Sequence, residues 1–266
     1  MGGLSLRLGE APAGNPAYRL QVGSVVSRTF SVWVANFVPF SLVGLVTYTP
    51  ALAAIGFVAG TGAMTPLAER GIDVLGNFLT ILLSGAVTYG VFRHLHGERA
   101  SVGDVLRVGV SRFGTVWATG ILYGLAVLIG TILLIVPGIV LAVRYWLAVP
   151  AAVIEDSGAT ASLDRSKDLT EGNRWRIFRL GLILFFVMMV SMLLVGAIAF
   201  TVGSSFVDTG AAENVNTPTS GLVQALVILF MIPVQTLIAV APVVVYHDLR
   251  VGKEGADVAD LLKVFA

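Results

Sequence analysis

Cysteine is absent from this 266-residue chain, which removes thiol catalysis, thiolate metal ligation and disulfides, while saying nothing about redox compartment. Charge is scarce too: Asp, Glu, Lys and Arg make up 12% of the residues against 56% hydrophobic ones, about half the charged share of a soluble domain. So few charges cannot coat a globule of this length, and an integral membrane protein is expected. A net charge of +1 without a dense basic patch argues against a nucleic-acid partner, and the shortage of polar residues argues against disorder. Residues 1–21 hold Arg7, Glu10 and Arg19 among Gly, Pro and Ala. They lack the apolar core and small-residue cleavage pattern of a signal peptide and read as a flexible N-terminal segment.

In place of charge, the chain has long apolar runs. A bilayer core of about 30 Å needs about 20 apolar residues per helix, and the charges divide residues 22–250 into six such spans. They are expected near 37–59, 74–92, 115–136, 139–154, 180–204 and 222–246. Between Phe113 and Ile154 the only charge is Arg144, and Pro137-Gly138 reads as the turn between the third and fourth spans. Pro233 and Pro242 read as kinks in the sixth. Of the 17 Lys and Arg residues, 15 fall in the termini and in the segments after the second and fourth spans. The other loops hold Arg70 alone, and Arg144 lies inside a span. Basic loops stay cytoplasmic, so both termini are expected on the cytoplasmic face of a bacterial or archaeal membrane.

The segments before the odd-numbered spans resemble one another. Val22–Arg28, Val102–Arg107 and Ala161–Ser166 each carry apolar positions at helical spacing with Arg on the other face, and each is followed by aromatic residues. Short amphipathic helices in the headgroup plane are expected there, N-capped by Ser24, Asp104 and Ser157 or Thr160. A further one is expected within the C-terminal segment 251–266, at Asp257–Phe265. The fold class is therefore all-α and polytopic: six transmembrane helices as three hairpins, each preceded by a cytoplasmic interfacial helix.

The stretch Leu133–Leu180, with I-V-P-G at Ile135–Gly138 and T-E-G-N-R-W at Thr170–Trp175, resembles the membrane domain associated with glycerophosphoryl diester phosphodiesterases and its stand-alone relatives. The segment Ser27–Phe40 is similar to that family's opening. The resemblance implies a polytopic helical membrane protein. It does not extend to phosphodiesterase activity, because the hydrolase barrel beside some such domains needs roughly 250 residues.

Few residues carry candidate chemistry. Arg144 lies seven residues after Pro137, about 10 Å of helix inside the expected outer boundary, with no Asp or Glu in any span to neutralise it. Such a charge faces protein or a water-filled cavity: it snorkels or bonds carbonyls, contacts an anionic lipid or other anion, or serves transport. Asn173, Arg174, Trp175 and Arg176 put basic and aromatic residues where the fifth span enters the bilayer, which suits anionic headgroups. Glu155, Asp156, Asp164, Asp168 and Glu171 interleave with basic residues at helical spacing and read as surface ion pairs. His94, His96 and His247 read as polar ends of helices, with no metal site. Gly56 and Gly60, and Gly120 and Gly124, have the four-residue spacing that lets helices approach closely; Pro137 and Gly138 complete the expected packing positions. No nucleophile, metal or phosphate-loop motif is present.

These features point to a non-catalytic membrane protein without cofactor or metal: a scaffold, an accessory subunit or a lipid-organising factor. Its partners would be anionic lipids, another membrane protein or a second copy. The alternative is a transporter or binder of an anionic lipid or amphiphile through a cavity near Arg144.

Overall fold

The computed structural model describes residues 15, 17–61, 65–207 and 218–255. Among them every regular element is an α-helix: α1 (Val22–Ala35), α2 (Phe37–Thr61), α3 (Pro66–Leu95), α4 (Val102–Ser111), α5 (Phe113–Leu133), α6 (Ile135–Arg144), α7 (Ala148–Ile154), α8 (Ala159–Thr170), α9 (Arg174–Val207) and α10 (Pro218–Glu254). Six stretches are long and apolar enough to cross a membrane: α2, α3, α5, α6 with α7, α9 and α10. The chain is a multi-pass membrane protein.

The helices overrun the uncharged runs from which they were expected. α3 begins eight residues before Val74, at Pro66, where Thr65 Oγ1 accepts a hydrogen bond from Ala68 N and a first-turn proline loses no helical bond. Glu69, Arg70 and Asp73 thus lie on the helix. α10 runs without a break through Pro233, Pro242 and Tyr246 to Glu254. Residues 251–254 therefore continue α10 and do not start a separate helix, and Asp257–Phe265 lies outside the described residues. α4 is capped by Ser101 in place of Asp104: Ser101 Oγ accepts from Asp104 N, and the Asp104 carboxylate accepts from Ser101 N. Gly158 stands at the start of α8, and Gln21 at that of α1.

Inside a bilayer, packing and interhelical hydrogen bonds take over the role of hydrophobic burial, and small residues mark where these helices meet. A Cβ on Gly109 of α4 would stand 2.9 Å from that of Ala86 on α3, and one on Gly90 of α3 would stand 3.0 Å from the Phe40 ring of α2. Gly221 of α10 meets Ala59 of α2 in the same way. The expected pairs are not among these contacts: around Gly56, Gly60, Gly120 and Gly124 a Cβ would meet nothing within 4 Å. Spacing alone does not say which face of a helix turns inward, and these four turn away from their neighbours.

The turn between α5 and α6 falls at Leu134, whose extended backbone (φ −164°, ψ 149°) breaks the helix three residues before Pro137. Pro137 is the third residue of α6, where the missing N–H has no helical acceptor to lose. Gly138 lets α6 lie against α5: a Cβ there would collide with Thr131, and a Cβ on Gly130 would stand 3.1 Å from the Gly138 backbone across the same gap.

The core is off centre. α7 is buried along nearly its whole length by α3, α5, α8 and α10, and Val240–Tyr246 of α10 and Ala86–Phe92 of α3 complete it. α9 and the α5–α6 tip are peripheral, with broad apolar exposure. The N-terminal segment is only partly free of this core: Leu20 is buried, and residues 17–21 pack at the start of α9.

Candidate functional site

The span after Leu134 is discontinuous: α6 stops at Arg144, residues 145–147 turn, and α7 resumes at Ala148. A break in a membrane helix leaves backbone groups without partners, and they must be satisfied within the protein. Here α8 supplies them. Ser166 Oγ accepts from Leu147 N at 3.1 Å and donates to Arg144 O at 2.9 Å, and Thr170 Oγ1 donates to the same carbonyl at 3.2 Å. Ser166 and Thr170 are fully buried.

That contact fixes the Arg144 backbone: its carbonyl is held by α8, beside the C-terminal end of α10. The turn at the far end of α6 is apolar, with Ile132, Leu133, Leu134, Ile135 and Val136 each between 68% and 75% exposed. The Arg144 guanidinium lies 5.6 Å from the centroid of the Tyr145 ring, and its Nε is buried without a hydrogen-bond partner. No carboxylate among the described residues reaches it within ion-pair distance.

After α8, Gly172 takes a left-handed backbone (φ 74°) and Asn173 starts the turn into α9. Asn173 is not a headgroup ligand. It is 1% exposed, its Oδ1 accepts from Leu20 N and its Nδ2 donates to Tyr18 O, both at 2.9 Å. A buried amide with two backbone partners is a clamp on the N-terminal segment. The next residues face outward. Trp175 is 70% exposed and stacked on Phe178, with ring centroids 5.2 Å apart. Arg174 is half-buried and its Nε, like that of Arg144, has no partner; Arg176 is half-buried and makes no ion pair among the described residues.

Arg174, Trp175 and Phe178 form one wall of a groove of about 290 Å³, and Val136, Ile139, Val140 and Val143 of α6 form the other. The groove is apolar along its length, with the Arg174 guanidinium at the end where α9 begins and Arg144 next in the chain after Val143. An apolar groove with a guanidinium in its lining can take an acyl chain with an anionic headgroup.

Of the five acidic residues expected in ion pairs, Glu155 and Asp156 form them. Glu155 accepts from Arg165 Nε at 2.7 Å, from the Tyr246 hydroxyl and from Arg250 at 3.3 Å; Arg165 also forks onto Glu254 at 2.5 and 2.7 Å. Burial disfavours the Arg165 charge, but the bonds to Glu254 and Glu155 outweigh it and raise its pKa above the ordinary arginine value. Asp156 pairs with Arg112, and Lys253 Nζ donates to the carbonyls of Asp168 and Glu171. These groups join α7, α8 and α10, while the carboxylates of Asp164, Asp168 and Glu171 make no ion pair among the described residues. Among the described residues no three His, Asp or Glu side chains gather as a metal site would require.

Two features escaped the sequence reading. His96 and His247, far apart in sequence, meet with ring centroids 5.9 Å apart, and a polar pocket opens between α2, α3 and α10. Neither leaves a local motif, because each is assembled from different spans.

A family model described as Domain of unknown function (DUF7847) matches residues 73–249. No curated protein and no solved structure matches the chain.

Proposed function

As the chain belongs to the DUF7847 family, whose matched stretch contains both walls of the α6–α9 groove, we propose that it is a non-catalytic, lipid-organising membrane protein that holds an anionic lipid between these helices. The observation that carries this reading is Arg174, which lines an apolar groove with its Nε buried and unpartnered; Arg144, whose Nε is likewise unpartnered, follows Val143 of the other wall in the chain. A charge without a partner in a bilayer is expensive, and a lipid phosphate would neutralise it with charge-assisted bonds. The acyl chain would lie along Val136–Val143 and Phe178, and Trp175 would sit at the headgroup level. Two further parts of the reading rest on the sequence: both termini on the cytoplasmic side, from the 15-to-1 distribution of basic residues, and kinship with the phosphodiesterase-associated membrane domains. The same reading puts one face of α1, α4 and α8 at the headgroups.

The test is native mass spectrometry of the protein purified in mild detergent. An anionic phospholipid should stay bound, and Arg174→Ala or Arg144→Ala should release it without changing the elution profile of the folded protein. Arg174→Lys tests whether the planar fork is needed beyond charge. Lipid retention unchanged in the Arg144→Ala, Arg174→Ala double variant would exclude the reading.

A further inference from the structure

The pocket between α2, α3 and α10 differs in chemistry from the groove. It holds about 490 Å³, and its polar lining comes from Tyr48 of α2, Asp73, Asn77 and Thr80 of α3, and Gln224 and Gln235 of α10. Gln224 and Gln235 are separated by three turns on α10, about 17 Å of helix, so polar groups follow the pocket well into the span.

The hydrogen-bond pattern sets the character of this lining. The Thr80 hydroxyl donates its single proton to Gly76 O at 2.9 Å, so in the 2.7 Å contact between Tyr48 and Thr80 the tyrosine is the donor, leaving the lone pairs of its own oxygen free. Asn77 Nδ2 donates to Asp73 O at 2.9 Å, which leaves Oδ1 unoccupied. The amides of Gln224 and Gln235 make no hydrogen bond within the described residues. Among the described residues Asp73 has no ion pair, Arg70, one turn away on α3, does not reach it, and no Lys, Arg or His lines the pocket. The free groups are thus mostly acceptors, with one carboxylate and no compensating cation. Polar side chains left unsatisfied in hydrocarbon are costly, and those within spans mark water-filled cavities or ligand pathways.

We propose that this pocket is a binding site for a small organic cation bearing an ammonium group, admitted past Asp73. Its volume suits a solute of a few heavy atoms with its remaining water. The ammonium could belong to a free amine or to the headgroup of a zwitterionic lipid, and the two sources are separable by experiment.

The absence of cysteine makes the chain its own background. Gln235→Cys, reconstituted in nanodiscs of phosphatidylglycerol so that both faces are open, is treated with a trimethylammonium methanethiosulfonate and, separately, with a sulfonate one. Each rate is normalised to that of a free thiol. The cationic reagent should react about tenfold faster, Asp73→Asn should bring the ratio close to one, and tetramethylammonium should slow the reaction saturably where equal sodium does not. Slower labelling in discs containing phosphatidylethanolamine, without added solute, would assign the ammonium to the lipid; unchanged labelling would assign it to a free amine. Gln224→Cys, on the same wall and nearer Asp73, serves if Gln235→Cys does not fold. A folded variant unreactive to both reagents, equal normalised rates, or no protection by tetramethylammonium would each overturn the proposal.

Discussion

His96 stands at the end of α3, with its Nδ1 2.6 Å from Phe92 O and its Nε2 buried without a partner. Nδ1 therefore carries the proton of the neutral ring. Burial lowers the His96 pKa below the ordinary value, the Phe92 carbonyl opposes this, and neighbouring His247 lowers it further; Glu98 and Arg250 act more weakly in opposite senses. Because the folded value is depressed, the stabilisation is complete above about pH 6.5, the unfolded value, and declines as pH falls from there toward the folded one. The thermal midpoint in detergent should accordingly drop on acidification below that pH, and His96→Gln, which keeps a donor for Phe92 O, should flatten the slope. An unchanged slope in that variant would assign the effect elsewhere. Neither this meeting of imidazoles nor the clamp made by Asn173 was legible in sequence. Asn173 sits among Arg, Trp and Arg, where composition points to headgroups, yet its partners are backbone atoms of Tyr18 and Leu20, more than 150 residues earlier.

At the scale of elements, the break between α6 and α7 is held by the hydroxyls of Ser166 and Thr170, and Ser166 serves both of its sides. Ser166→Ala would leave Leu147 N–H and one bond to Arg144 C=O without their partner in a buried place, a cost of about 1–3 kcal/mol. A lowered thermal midpoint would measure it, while Ser166→Thr, if accommodated, should retain the bonds. Interhelical bonds such as Tyr48 to Thr80 or Trp33 to Thr236, about 0.6 kcal/mol each in membranes, fix register more than stability. The α5–α6 tip makes a different expectation testable. With five successive aliphatic residues exposed around Leu134, a spin label at Leu134→Cys should be relaxed by oxygen and shielded from a water-soluble nickel chelate; the reverse would put the tip in water. The number of spans was readable because charge is excluded from hydrocarbon, so uncharged runs report the bilayer. The ends of the helices were not, because α3 and α10 continue past the bilayer with charged residues on them. Pro137-Gly138 misled for a related reason: the pair that punctuates a soluble chain serves here as a first helical turn and a contact with α5.

Taken whole, the molecule is a bundle closed by its last described helix. α10 packs against α1, α2, α3 and α9, and its polar groups find their partners on distant elements: Thr236 on Trp33, Asp248 on Arg28, Tyr246 and Arg250 on Glu155, Glu254 on Arg165. The open faces behave otherwise. Since a Cβ at Gly56 or Gly60 would meet nothing within 4 Å, the double change to Ala should leave the thermal midpoint of the monomer no lower than the equivalent of about 0.5 kcal/mol; a large loss would show that those faces are covered, by lipid in a fixed place or by another chain.

The central position of α10 also bears on how the protein is made. A ribosome delivers the helices in order, and until translation reaches α10 Arg28 lacks Asp248 while Glu155 and Arg165 have only each other. The contacts of α1, α2, α3 and α9 with α10 therefore form last. Completion is then a late event, and a chain interrupted before α10 would leave Arg28 without its carboxylate and Arg165 without the Glu254 fork.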